Sequence, residues 1–218
     1  MLINEIFEGL QGEGAYAGYP VLFIRLSGCT RNCDFCDTQY HKKGKKMSKK
    51  MLIKNILRVK KKIVVWTGGE PTLQMKEIAK VIFHTQPMFK HHVETNGDIN
   101  PIYLTHFDYV CASPKDLKAA QVMHKRLSTW DRKYYDIKIV TDLKINKNLI
   151  KYATMLMPLT LIKHEYPCKY KCGWNHHEEC LEKQNKIIQQ KVWNYCEKNN
   201  IRYSPRLHVE VWGQKRGV

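Results

Sequence analysis

The stretch GCTRNCDFCDTQY, residues 28–40, sets Cys29, Cys33 and Cys36 into one short loop and adds no fourth cysteine. Three close thiolates can hold three irons of a cubane 4Fe-4S cluster and leave the fourth iron without a protein ligand. Clusters that only carry electrons are normally fully thiolate-ligated. A catalytic metal keeps one position free for water, substrate or a cofactor. The competing reading is a zinc ribbon or an electron-transfer cluster completed by Cys168, Cys172 or Cys180. That reading leaves the stretch TGGEPT, residues 67–72, without a role, whereas a glycine pair after a buried strand lets backbone approach a ligand closely.

The elements that must position these residues alternate between strand and helix, which argues for an α/β fold with a parallel-type sheet. PVLFIRLSG (20–28) reads as a buried strand. A helix follows from Ser48, its N-cap, to about Lys61, with Leu52, Ile53, Ile56 and Leu57 on one face. KIVVWTGG (62–69) reads as strand, LQMKEIAKVIFH (73–84) as helix, and HHVETNG (91–97), FDYVCASPK (107–115), YYDIKIV (134–140) and TMLMP (154–158) as strands. A helix over 177–198 and a final strand RLHVEVWG (206–213) complete the chain. Each unusual motif sits just past the carboxyl end of a strand, the edge where ligands bind in α/β sheets.

At 218 residues the chain is expected to form one domain, 1–218. No apolar run approaches the roughly 18 residues of a membrane span, and MLINEIFEGLQGEG lacks the basic and apolar regions of a secretory signal, so a cytoplasmic setting is expected. Eight cysteines, clustered as they are, then favour metal ligation over disulfides. The 37 Lys and Arg against 20 Asp and Glu, a formal charge of +17, favour anionic partners without naming one. The Lys-rich runs read first as solvated faces and only second as a nucleic-acid surface.

The CxxxCxxC spacing after a strand, with Phe35 before the last cysteine and GGEP after the next strand, resembles the radical S-adenosylmethionine (SAM) superfamily. The stretches EIFEGLQGEGAYAGYPVLFIRLSGC, CDT, TGGEPTLQ, ETNG and SPK are similar, in order, to the 7-carboxy-7-deazaguanine synthase (QueE) family. That resemblance implies a partial, abridged TIM-like radical SAM barrel pairing as a homodimer. It implies conversion of 6-carboxy-5,6,7,8-tetrahydropterin into 7-carboxy-7-deazaguanine with loss of ammonia, a lyase step toward the 7-deazapurines queuosine and archaeosine. The 4Fe-4S cluster and SAM would generate a 5′-deoxyadenosyl radical, Mg2+ would assist, and a flavodoxin or ferredoxin would supply the electron.

Carried over by position, the resemblance gives Cys29, Cys33 and Cys36 to the cluster and Thr38 to magnesium. It gives Phe35, Cys36, Asp37, Gly69, Ser113, Pro114, Lys115, Met157, Pro158, Leu159 and Thr160 to SAM, and Leu10, Gln11, Gly12, Arg25 and Thr67 to the substrate. The local alternatives are that Gln11 and its glycines form a turn, that Arg25 pairs with a nearby acid, and that Thr38 closes a turn. A second metal at Cys168, Cys172 and Cys180 with His176 and His177 is a lesser reading, because the gaps match no common finger. Cys111 and Cys196 read as core. Two other functions share some of these features: an activase that places a glycyl radical on a partner enzyme, and a basic, metal-bearing RNA-binding or RNA-modifying protein.

Overall fold

The computed structural model of the chain describes residues 1–33, 43–99, 101–161, 177–213, 215 and 217, the side chains of 101–103 and 177–178 excepted. The strands are β1 (Leu2–Leu10), β2 (Pro20–Leu26), β3 (Lys45–Lys46), β4 (Ile63–Gly68), β5 (Lys90–Thr95), β6 (Tyr109–Ala112), β7 (Tyr135–Thr141), β8 (Met155–Pro158) and β9 (Arg202–Tyr203). The helices are α1 (Lys49–Arg58), α2 (Met75–Thr85), α3 (Leu117–Leu127), α4 (His177–Asn199) and α5 (Leu207–Trp212). The described strands form one sheet in the order β3-β1-β2-β4-β5-β6-β7-β8-β9. From β2 to β9 every neighbour is parallel, and β1 runs antiparallel to β2 and β3. The fold is thus α/β with a mostly parallel, open sheet, a partial barrel.

Alternation along the strands sends two different sets of side chains to the two faces. Leu22, Ile24, Leu26, Val64, Trp66, Val93, Ala112, Ile137, Ile139 and Leu156 turn outward. They share one core with Leu52 and Ile56 of α1, Ile78 and Ile82 of α2, Met123 and Leu127 of α3, and Val192 and Cys196 of α4. Each such fully buried aliphatic side chain contributes roughly 1.5–3 kcal/mol. The register pairs Arg25 with Thr67, and Glu94 with Cys111, on the opposite, inner face. Ser48 caps α1 by accepting from the Met51 N–H at 3.2 Å.

Four local expectations change. RLHVEVWG does not form a strand: Leu207–Trp212 is helix α5, ended by Gly213 at φ 60°. Its alternation of Leu207, Val209 and Val211 mimics a strand, but these residues lie on a short helix with no fully buried side chain. Leu57 is exposed rather than on the buried face of α1. Strand β1 was not anticipated, because a register shift between Ile3 and Glu5 breaks its alternation. Helix α3 was also not anticipated, although Asp116, which accepts from the Ala119 N–H at 2.8 Å, and the spacing of Ala119, Ala120, Met123 and Leu127 signal it. Cys111 and Cys196 are buried as expected.

Candidate active site at the carboxyl edge of the sheet

The cysteine loop leaves β2 through Gly28, whose φ of 90° is open to glycine at little cost. The loop after β4 lies directly against it: the Gly69 N–H donates to the Leu26 carbonyl at 3.0 Å and the Glu70 N–H to the Gly28 carbonyl at 2.8 Å. A methyl group on Gly69 would collide with the Gly28 carbonyl. The glycine pair therefore lets two loops meet as well as opening backbone to the cavity. Glu70 is fully buried and accepts from the Thr72 N–H (3.0 Å), the Thr72 hydroxyl (2.6 Å), the Thr95 hydroxyl (2.7 Å) and the Asn96 N–H (2.7 Å). Burial pushes its carboxyl pKa up, against these hydrogen bonds, which favour the charged form. It thereby ties the loops after β4 and β5 together.

These loops surround one cavity. Cys29, Arg31 and Cys33 enter it from the cysteine loop, Thr67, Gly68 and Gly69 from β4, and Glu94, Thr95 and Asn96 from β5. Ser113 and Lys115 follow β6, Lys138 and Val140 lie on β7, and Met157, Leu159 and Thr160 close the far side with Glu13 and Arg206. Cys29 and Cys33 are half-buried free thiols. Burial raises the Cys33 pKa, while Lys115 and Arg31 pull toward the thiolate. Lys115 donates to the Ser113 hydroxyl at 2.9 Å.

The floor of the cavity is charged. Lys138 donates to Glu13 at 2.6 Å and to Glu94 at 3.0 Å, Arg206 donates to Glu13 at 3.1 Å, and the Gln11 amide donates to Glu94 at 3.3 Å. Burial works against the charge on Glu13, yet Lys138, Arg206 and His208 hold its pKa well below the usual carboxylate range. For Glu94 burial wins over Lys138 and the pKa rises, with Glu13 adding to the rise. Burial also opposes the Lys138 ammonium, but the acids Cys111, Glu13 and Glu94 around it raise its pKa well above the ordinary value.

Of the residues singled out in the sequence, Cys29, Cys33, Thr67, Gly69, Ser113, Lys115, Met157, Leu159 and Thr160 line this cavity. Pro114 and Pro158 are buried beside it without lining it. Gln11 reaches it through Glu94. Leu10 and Gly12 line a separate groove against α5. Arg25 shares the inner face with Thr67 but pairs with Glu5 at 3.2 Å and lies over the Phe7 ring. Phe35, Cys36, Asp37 and Thr38 lie outside the described residues, as do Cys168, Cys172 and His176. Cys180 is buried on α4. Sequence reasoning passed over Glu13, Glu94, Lys138 and Arg206. A lysine between Ile137 and Ile139 in the strand YYDIKIV is a signal, as are the acids of QGEG and ETNG; Arg206, ahead of a short helix, carries none.

Among the described residues no three His, Cys, Asp or Glu side chains gather as a metal site. Cys29 and Cys33 are two soft donors on one cavity wall, with Lys115 and Arg31 beside Cys33, a donor set that fits a thiolate-ligated iron cluster. No helix among the described residues is long and apolar enough to cross a membrane.

Residues 23–158 match the radical SAM superfamily. The chain is 41% identical over 113 residues to 7-carboxy-7-deazaguanine synthase of Bacteroides thetaiotaomicron, an alignment covering 52% of this chain and 60% of that protein. It is 30% identical over 154 residues to the protein of the same name from Aquifex aeolicus, covering 68% of each. The chain thus spans only about three-fifths of the Bacteroides protein's length. The fold resembles the crystal structure of QueE from Escherichia coli with a TM-score of 0.51, 21% identity, and coverage of 95% of this chain and 94% of that one.

Proposed function

This chain belongs to the radical SAM superfamily and, within it, to the 7-carboxy-7-deazaguanine synthase family, and from that membership we propose that it converts 6-carboxy-5,6,7,8-tetrahydropterin into 7-carboxy-7-deazaguanine with loss of ammonia. The observation that carries the reading is convergence: both described cysteines of the motif share one cavity with the loops after β4, β6 and β8, above a charged floor. When bound, the 4Fe-4S cluster and SAM supply a radical able to take hydrogen from an unactivated carbon.

In this reading Cys29, Cys33 and Cys36 hold the cluster. The Gly69 backbone, Ser113, Lys115 and the segment Met157–Thr160 cradle SAM, together with Phe35, Asp37 and Pro114. The floor orients the pterin. Its planar edge of donors and acceptors suits the Gln11 amide and Glu94, while its carboxylate suits a cation such as Lys138 or Arg206, beside Thr67 and Arg25. Leu10 and Gly12 flank Gln11 and would take part through the loop that carries it, although both line the separate groove against α5. Thr38 would hold Mg2+ together with substrate oxygens. The chain would work in the cytoplasm as a homodimer, reduced by a flavodoxin- or ferredoxin-type carrier, and feed 7-deazapurine synthesis.

The test is anaerobic reconstitution with iron and sulfide, followed by SAM, a reductant, Mg2+ and the carboxy-tetrahydropterin, with product identified by mass. Product of the deazaguanine mass is expected. Its absence from fully cluster-loaded protein that still cleaves SAM would exclude this substrate. Thr38→Ala should keep the cluster spectrum while lowering product formation and blunting the response to added Mg2+.

A further inference from the structure

We propose that Asn96 is a positioning residue of the cluster site: its side-chain amide donates to the sulfur of Cys29 and thereby raises the reduction potential of the cluster. The inference rests on the reading of Cys29 as a cluster ligand. Asn96 follows β5 and is 9% exposed. Its Nδ2 lies 2.9 Å from the Thr30 hydroxyl and 3.8 Å from Cys29 Sγ, within donating distance of the large sulfur atom.

The orientation of this amide follows from its other contacts. Its Oδ1 accepts from the Asp98 N–H at 3.0 Å, so the NH2 end must face the cysteine loop. The Thr30 hydroxyl spends its own proton on Asp98 at 2.6 Å, which leaves its oxygen to accept from Asn96. The backbone of Asn96 is fixed by the buried Glu70. The loop carrying Thr30 is fixed in turn by Arg31, whose Nε donates to both oxygens of Asp98 at 2.9 and 2.7 Å, and whose Nη2 bridges Asp98 and the α3 cap Asp116. Donor and sulfur are therefore held from both sides.

Reduction adds one electron, from an external low-potential donor, to a cluster already surrounded by thiolates. A hydrogen bond to a ligand sulfur stabilises that extra negative charge and makes the cluster easier to reduce. A substitution that removes the amide donor should lower the potential even where it leaves the ligands in place.

The test compares wild type with Asn96→Asp and Asn96→Ser, each reconstituted anaerobically without SAM or substrate. Iron and sulfide are counted, and the midpoint potential is read by dithionite titration followed by electron paramagnetic resonance. Asp keeps the acceptor that holds Asp98 and puts a carboxylate where the donor stood; Ser removes the amide without adding charge, its hydroxyl ending one bond short of where the amide nitrogen stood. Both variants are expected to hold wild-type iron with a more negative midpoint, and the shift should be larger for Asp. An unchanged midpoint at full iron content would overturn the proposal. So would loss of the cluster from both variants, which would make Asn96 a structural brace only. A wild-type cluster that survives Cys29→Ala would instead remove the ligand assignment itself, an outcome separate from an unchanged potential.

Discussion

Lys138 is the residue whose surroundings say most about the cavity floor. It is 3% exposed, sits midway along a strand buried on both faces, and touches two carboxylates, Glu13 and Glu94. A lysine is kept in such a place only if its charge is matched, and removing one partner of a buried ionic group typically costs about 3–5 kcal/mol because the other charge stays behind. Lys138→Met should therefore lower stability by about that amount in urea unfolding and abolish product formation. Adding Glu94→Gln should recover part of the stability and none of the activity. Equal stability of wild type and the single variant would mean that water, not Lys138, matches the two acids.

At the scale of elements, the site depends on how closely the loops after β2 and β4 approach. Because Gly69 leaves no room for a side chain against the Gly28 carbonyl, Gly69→Ala should push the cysteine loop away from its seat. The expected result is unchanged far-UV circular dichroism with iron incorporation reduced several-fold; full iron content would show that the loop tolerates the displacement. Such motifs were legible because function demands particular atoms at particular backbone positions: three thiolates, a glycine pair, and SPK after a strand. The central strands were legible because β4 to β8 lie inside the sheet and read as apolar runs. Strand β1 escapes such a reading because a bulge breaks its period, and α5 reads as a strand because its six residues, half-buried at 207–209 and exposed at 210–212, present no single buried stripe. The charged floor was the least visible part. Glu13, Glu94, Lys138 and Arg206 come from four distant segments, and only the sheet order brings them together.

At the scale of the whole molecule, β5 couples the two layers through consecutive histidines that face opposite ways. His91 is fully buried toward the helices: its Nδ1 accepts from the Trp66 indole at 3.0 Å, and its Nε2 lies 3.0 Å from the Thr85 hydroxyl, which donates to the Val81 carbonyl at 2.9 Å. That pattern needs a neutral ring with its proton on Nε2. His92 faces the inner layer, its ring centroid 4.3 Å from Tyr16 and 5.3 Å from Tyr109. Burial brings both imidazoles down to about 4, with Asp108 acting against the shift and the neighbouring cations His92, for His91, and Lys90, for His92, adding to it. Above the ordinary value of 6.5 the folded and unfolded chains are both neutral at these positions and pH has no effect. Below it the unfolded chain takes up protons that the folded chain refuses, so stability falls with pH until about 4 and then levels off. By pH 5 the loss should reach roughly 2 kcal/mol per imidazole. The Glu13 contribution, also lost as pH falls, begins only near its ordinary value of 4.5, whereas Glu70 and Glu94, whose pKa values burial raises, take up protons in the folded chain first and so work against the histidines. Urea unfolding between pH 7 and 5 should therefore show a smaller loss of stability for His91→Gln, which can still accept from Trp66, than for wild type, while the substitution lowers stability at pH 7 by much less than a cavity would. An equal loss in wild type and His91→Gln would mean that this ring is not held neutral in the folded chain, and with it the packing assigned to Trp66 would have to be redrawn.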